Sequence, residues 1–171
     1  MDAAIVRWLN SGVDTLPWLD DVIKIVVNDY FTPVAMSLLL LGVWFGAKTA
    51  ASRELHQRAV LTAMLGVAFG NLAVQIIGAF TFRGRPYLNE PLELLFYQPT
   101  DSSFPANPAV VGAAIAAGLW GVNRRLGSIA FGVAALWGLS RVYAGVSYPT
   151  DVLAGAAIGV GVVMAVTWVL R

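Results

Sequence analysis

Apolar stretches dominate the chain, and they recur at a length that suits a lipid bilayer better than a water-soluble core. About 20 apolar residues carry a helix across the hydrocarbon layer, with a range of about 17–25. Residues 32–47, 60–80, 126–142 and 152–170 fit that pattern, and 108–122 is shorter, free of charge and rich in alanine and glycine. The chain therefore predicts an all-α integral membrane protein, a bundle of five transmembrane helices over 32–171. A segment spanning 1–29 precedes it. There Trp18, Leu19, Val22, Ile23 and Val26 form an apolar stripe at helical spacing, with Asp20, Asp21, Lys24 and Asn28 opposite. That is the pattern of an amphipathic helix lying in the interface rather than crossing it. No basic stretch followed by a small-residue cleavage site precedes it, so no removable signal peptide is expected. Residues 1–171 are expected to form a single membrane domain.

Composition sharpens this picture. Of 171 residues, 58% are hydrophobic and only 12% charged, against about 25% charged in an ordinary soluble domain. So few charges cannot coat a water-soluble globule. A net charge of +1 argues against nucleic acid as a partner, leaving membrane lipids and, as a further option, other membrane protein subunits. There is no cysteine and one histidine, His56, which excludes thiolate and histidine-rich metal sites. No metal or cofactor is expected. Small residues at four-residue spacing, Gly112/Ala116 and Gly155/Gly159, suit close helix packing.

Lysine and arginine set the orientation. Lys48, Arg53 and Arg58 fall in the loop 48–58, Arg124 and Arg125 in the loop 123–125, and Arg171 at the end. With five spans these share one side, the cytoplasmic one, of an inner or plasma membrane. Loop 82–107, the acidic N-terminal segment and all five tyrosines then lie outside, the tyrosines as an interfacial belt. His56 is expected to be a solvated residue of the cytoplasmic loop.

Ionisable residues at membrane depth are costly, so each is a functional hypothesis. Arg141 near the outer end of the fourth span, Asp151 opening the fifth and Arg85 just past the second suggest one shared outer site. The bland alternative is an Arg141–Asp151 pair that only pins two helices. The functional one is an anion pocket in which two guanidiniums grip phosphate oxygens. Asn107-Pro108 reads as a helix start, with asparagine as N-cap and proline in the first turn, and helix N-termini attract anions.

Three segments surround these residues: Phe82-Arg83-Gly84-Arg85-Pro86, then Ser103-Phe104-Pro105-Ala106-Asn107-Pro108-Ala109, then the run from Ser140-Arg141 through Ser147-Tyr148-Pro149-Thr150-Asp151. Together they resemble the three signature motifs of the type 2 phosphatidic-acid phosphatase superfamily, from about Thr32 onward. The resemblance implies metal-free removal of phosphate from a lipid. A third-motif histidine attacks phosphorus, an aspartate orients it, and a second-motif histidine protonates the leaving oxygen. A lysine, two arginines and a serine hold the phosphate.

Carried over residue by residue, Arg85, Pro86, Pro105, Ser140, Arg141 and Asp151 match. The lysine position is Gly78, the second-motif serine position is Ala106, the acid histidine position is Pro108, and the nucleophile position is Ser147. Proline carries no side-chain proton, and a serine hydroxyl is a poor nucleophile without a base. General acid–base catalysis contributes about 10²–10⁴-fold, and here nucleophile and acid are lost together.

The sequence thus predicts a degenerate, catalytically inactive member with no catalytic residue. Arg85, Arg141 and Asn107 would hold a lipid phosphate or other anion at the outer face, supported by Ser140 and Asp151. A structural subunit of a larger membrane complex is the alternative, and an active lipid phosphatase with a rearranged site is a third. The topology has a direct test. In this cysteine-free chain, single cysteines at Ser52 and Asn89 should react with an impermeant thiol reagent from opposite sides of sealed vesicles; labelling from the same side contradicts it.

Overall fold

A computed structural model describes residues 1–170, and among these every regular element is an α-helix. They are α1 (Asp2–Asn10), α2 (Pro17–Val27), α3 (Phe31–Phe45), α4 (Ala50–Phe80), α5 (Pro86–Asn89), α6 (Asn107–Trp120), α7 (Arg124–Tyr143) and α8 (Pro149–Val169). By length and composition α4, α7 and α8 can each cross a membrane, and α2 with α3 makes a fourth crossing if the bent pair counts as one span. The expected span at 108–122 is the 14-residue α6. At 1.5 Å per residue it is about 21 Å long, short of the roughly 30 Å hydrocarbon layer.

Burial explains why so short a helix is stable there. Nine of its residues, from Ala109 to Leu119, are buried, because α4, α7 and α8 surround it. Ile115, Ala116 and Leu119 meet Met36, Leu40 and Val43 of α3, Val60 and Ala63 of α4, and Ala130 and Ala134 of α7 in the main core. Large apolar residues of α3, α4 and α8, among them Leu38, Phe69 and Leu153, point outward, as helices facing lipid require.

The small-residue spacing on α8 acts at this interface. A Cβ built on Gly159 would lie 2.4 Å from the Val110 carbonyl oxygen, and one on Gly155 would lie 2.4 Å from that of Ala106. Backbone therefore packs on backbone along α6 and α8. The Ala106 N–H donates to the Asp151 carbonyl at 3.0 Å and joins the start of α6 to the first turn of α8.

Several expectations need correction. The basic loop 48–58 is mostly helix, since α4 starts at Ala50 behind a Thr49/Ser52 capping box. His56 is therefore a half-buried helical residue, its Nδ1 3.0 Å from the Val43 carbonyl, and it ties α4 to the end of α3. The acidic face of α2 is not solvated at Asp20. That carboxylate is buried and accepts the Asp14 N–H at 2.8 Å and the Tyr143 hydroxyl at 2.9 Å, while Trp18, Val22 and Ile25 face outward. Asp21 and Lys24 of the same side stay exposed and pair with each other at 3.5 Å, so Asp20 alone turns into the protein. The interfacial segment is two helices rather than one, and α2 bends by 58° into α3. Tyr143 and Tyr148 are structural rather than belt residues: Tyr143 bonds Asp20, and Tyr148 is buried with Val6 and Val142.

The α6–α8 contact predicts that Gly159→Ala destabilises the protein by about 1–3 kcal/mol through overpacking, read as a lower thermal unfolding midpoint in detergent. Gly161→Ala, whose Cβ meets nothing within 4 Å, should leave the midpoint unchanged. Equal midpoints for the two variants would contradict this packing.

Candidate functional site

The loop between α4 and α6 carries its charges back over the ends of α7 and α8. Asp151 lies in the first turn of α8 and is fully buried. Its partner is not Arg141 but Arg83, whose Nη1 donates to Oδ1, while the Ser103 hydroxyl donates to Oδ2 at 2.5 Å. Arg83 also stacks on the Tyr148 ring at 4.1 Å, and its Nη2 reaches Asp2 of α1 at 2.9 Å. Thr150 donates to the same Asp2 carboxylate at 2.5 Å. The Thr150 hydroxyl, and then Arg83, hold the Asp2 carboxyl below the ordinary carboxylate range despite partial burial. Asp151 is thus the centre of a clasp, with both oxygens occupied.

Arg85 and Arg141 do converge, on a cavity of about 250 Å³. Asn107, Pro108, Ala106 and Ser147 line it with them, together with Asp29, Tyr97, Asp101 and Trp137. Gly78, Ser140 and Asp151 do not. The Ser140 hydroxyl turns back to the Trp137 carbonyl at 2.7 Å, within its own helix. Asn107 is not the cap of α6. Ala106 holds that position, without a side-chain cap bond, and Asn107 is the first helical residue, exposed toward the cavity.

The two arginines have different duties. Arg85 spends all three nitrogens on the protein: Nη1 on the Val146 carbonyl at 2.7 Å, Nε on the Asp101 carbonyl at 3.1 Å, and Nη2 on the Asp101 carboxylate at 2.7 Å. It clasps the loop to the α7–α8 turn. Arg141, 3% exposed, commits Nη1 to the Asp29 carboxylate at 2.8 Å and, at 3.4 Å, to the Val27 carbonyl. Its buried Nε has no partner among the described residues, nor has the indole Nε1 of Trp137. Trp137 precedes Arg141 by one helical turn and so shares its face.

Ser147 is placed by the turn that follows α7. Gly145 there has φ +75°, a left-handed conformation that glycine adopts at no steric cost, and the N–H groups of Val146 and Ser147 both donate to the Arg141 carbonyl at 3.0 and 3.3 Å. The Ser147 hydroxyl lines the cavity with no side-chain partner among the described residues. Tyr97 donates to Asp29 at 2.7 Å, and that bond, with burial, raises its pKa, so the phenol stays protonated at neutral pH.

The sequence reading missed Asp29, Asp101, Arg83, Ser103 and Trp137. The scarcity of charge was the available signal, since each arginine at this end needs a carboxylate and few are present in the chain. Which aspartate meets which arginine depends on the loop path and is not written in local spacing.

Comparison with known proteins agrees with this architecture. The sequence profile of the PAP2 superfamily matches residues 59–171. Undecaprenyl-diphosphatase BcrC of Bacillus subtilis (strain 168) is 29% identical over 142 residues, covering 82% of this chain and 69% of that protein. The putative undecaprenyl-diphosphatase YbjG of Escherichia coli (strain K12) is 24% identical over 160 residues, covering 93% of this chain and 77% of its own. The crystal structure of Aquifex aeolicus LpxE superposes with a TM-score of 0.78 at 26% identity, covering 98% of this chain and 94% of that one. A PAP2-type phosphatidylglycerolphosphate phosphatase from Bacillus subtilis gives 0.68 at 26% identity, with 98% and 83% covered. With two thirds of its length matched by one profile and its motifs gathered at one end of a helical membrane bundle, the chain belongs to the PAP2 superfamily.

Proposed function

We propose that this protein holds the phosphate of a lipid headgroup at the loop end of its bundle without cleaving it. The observation that carries the reading is the engagement of Asp151. In the family's chemistry this carboxylate would orient a nucleophilic histidine. Here Arg83 and Ser103 occupy both of its oxygens, and the nucleophile position is a serine. A hydroxyl with no base beside it stays protonated and attacks poorly. Pro108 lies in the first turn of α6 where an acid would protonate the leaving oxygen, and its ring has no proton to give. Arg141 lines the cavity and its Nε has no partner among the described residues, which supports binding where bond cleavage is not expected.

The relatives' names speak of undecaprenyl diphosphate and phosphatidylglycerolphosphate, both phosphate-bearing lipids, which supports a ligand of the same broad class. In this reading α6 completes a five-helix bundle as a short inner helix, shielded from lipid by its neighbours. The basic residues at the opposite end support an outer-side position for the cavity.

Purified protein is expected to release no phosphate from phosphatidic acid or undecaprenyl diphosphate above a boiled control. Positioned charges alone stabilise a phosphoryl transition state, but without an attacking group turnover stays undetectable over about an hour. Ser147→His alone is expected not to create activity, because Pro108 still gives no proton and Gly78 no charge. Phosphate release that disappears in Ser147→Ala would overturn the reading and make serine a working nucleophile.

A further inference from the structure

We propose that the cavity selects a zwitterionic headgroup, a phosphate diester carrying an ammonium group, and that the Trp137 indole N–H is one of the donors to its phosphate. This rests on the reading above that the cavity holds a lipid phosphate, and it names which kind.

Unpartnered donors form one line of support. Trp137 and Arg141 both line the cavity, each 3% exposed, and the indole Nε1 and guanidinium Nε are buried with no acceptor among the described residues. Both groups can only donate. A buried donor left without an acceptor is costly, and two of them one helical turn apart ask for an acceptor on the inner side of the cavity. A phosphate oxygen supplies it.

Charge supplies the other. The cavity wall holds Arg85 and Arg141 against Asp29 and Asp101, two positive and two negative charges. Each guanidinium already faces a carboxylate, at 2.7 Å for Arg85–Asp101 and 2.8 Å for Arg141–Asp29. A terminal phosphate monoester carries about −1.5 to −2 at neutral pH and would meet both carboxylates at like charge, or have to displace them from strong charge-assisted bonds. A phosphate diester carries a single negative charge, and its own ammonium group cancels it.

The carboxylates stand where that ammonium needs them. Side chains of Asp101 and Asp29 are 72% and 35% exposed, so they form the outer rim while the free donors lie inside. A neutral headgroup with its anion inward and its cation outward matches a neutral cavity with the same polarity. The volume of about 250 Å³ falls below that of a drug-sized pocket, which starts near 300 Å³. A space of that size suits a headgroup rather than a whole lipid.

The test titrates the full-length protein in detergent with dioctanoyl-phosphatidylethanolamine, dioctanoyl-phosphatidylglycerol and dioctanoyl-phosphatidic acid, followed by calorimetry. Phosphatidylethanolamine is expected to bind about tenfold tighter than either of the others, a difference of about 1.4 kcal/mol. Trp137→Phe, which keeps an aromatic ring and removes the N–H, should weaken that binding by about 5–10-fold. Asp101→Asn should erase the preference over phosphatidylglycerol. Phosphatidic acid binding as tightly as phosphatidylethanolamine would overturn the zwitterion assignment and leave the phosphate-holding reading intact. An unchanged affinity in a folded Trp137→Phe variant would remove the indole from the site. Failure of all three lipids to bind would overturn both readings.

Discussion

Asp151 has no exposed surface, and a carboxylate in that position must be paired or neutralised. Arg83 and Ser103 supply the pairing, and the path of the surrounding chain follows from it. To reach Asp151 the loop after α4 folds back over α8, where the Ser103 N–H donates to the Arg83 carbonyl at 2.9 Å and fixes the two strands of the loop side by side. Arg83 then reaches on to Asp2 and seats α1 on the same end of the bundle. Removing one partner of a buried ion pair costs about 3–5 kcal/mol. Loss of Asp151 falls toward the lower figure, since Arg83 is 37% exposed and keeps Asp2.

The same clasp decides what the cavity can do. Arg83 and Ser103 hold Asp151 outside the cavity lining, and the carboxylates that do line it beside Ser147 and Pro108, Asp29 and Asp101, are paired with Arg141 and Arg85. Loop closure also presses Arg85 against the Val146 carbonyl and Asp101. This arginine therefore acts as a fastener, which leaves Arg141 as the guanidinium with an unpartnered nitrogen at the cavity. One guanidinium edge without a partner, an indole N–H and a rim of carboxylates support the proposed holding of a polar headgroup.

Much of the fold was legible in the sequence because membrane spans announce themselves through long apolar runs, and motif spacing located the loop end. The shortest apolar run, 108–122, forms α6, and α4, α7 and α8 pack around it. At α2 the rule that polar faces meet solvent failed for Asp20, whose carboxylate finds donors in the Asp14 N–H and the Tyr143 hydroxyl. In the site, Arg85, Arg141 and Asn107 were located from sequence and do line the cavity. The pairing of Arg83 with Asp151 and Arg141 with Asp29 was not foreseen, because a guanidinium chooses among carboxylates by three-dimensional reach. Trp137 was within reach of a sequence argument, one turn before a membrane arginine, but an indole in an apolar helix draws no notice until its N–H is found without an acceptor.

The central claim is that the cavity keeps a lipid phosphate intact, and native mass spectrometry of the purified protein tests both halves at once. After incubation with a phospholipid for about an hour, the protein should carry one lipid of unchanged mass, the expectation for binding without a nucleophile. Arg141→Gln, which removes the free guanidinium edge, should lose that adduct while remaining folded. A bound lipid lighter by its phosphate, or an adduct equally abundant in the variant, would contradict the account.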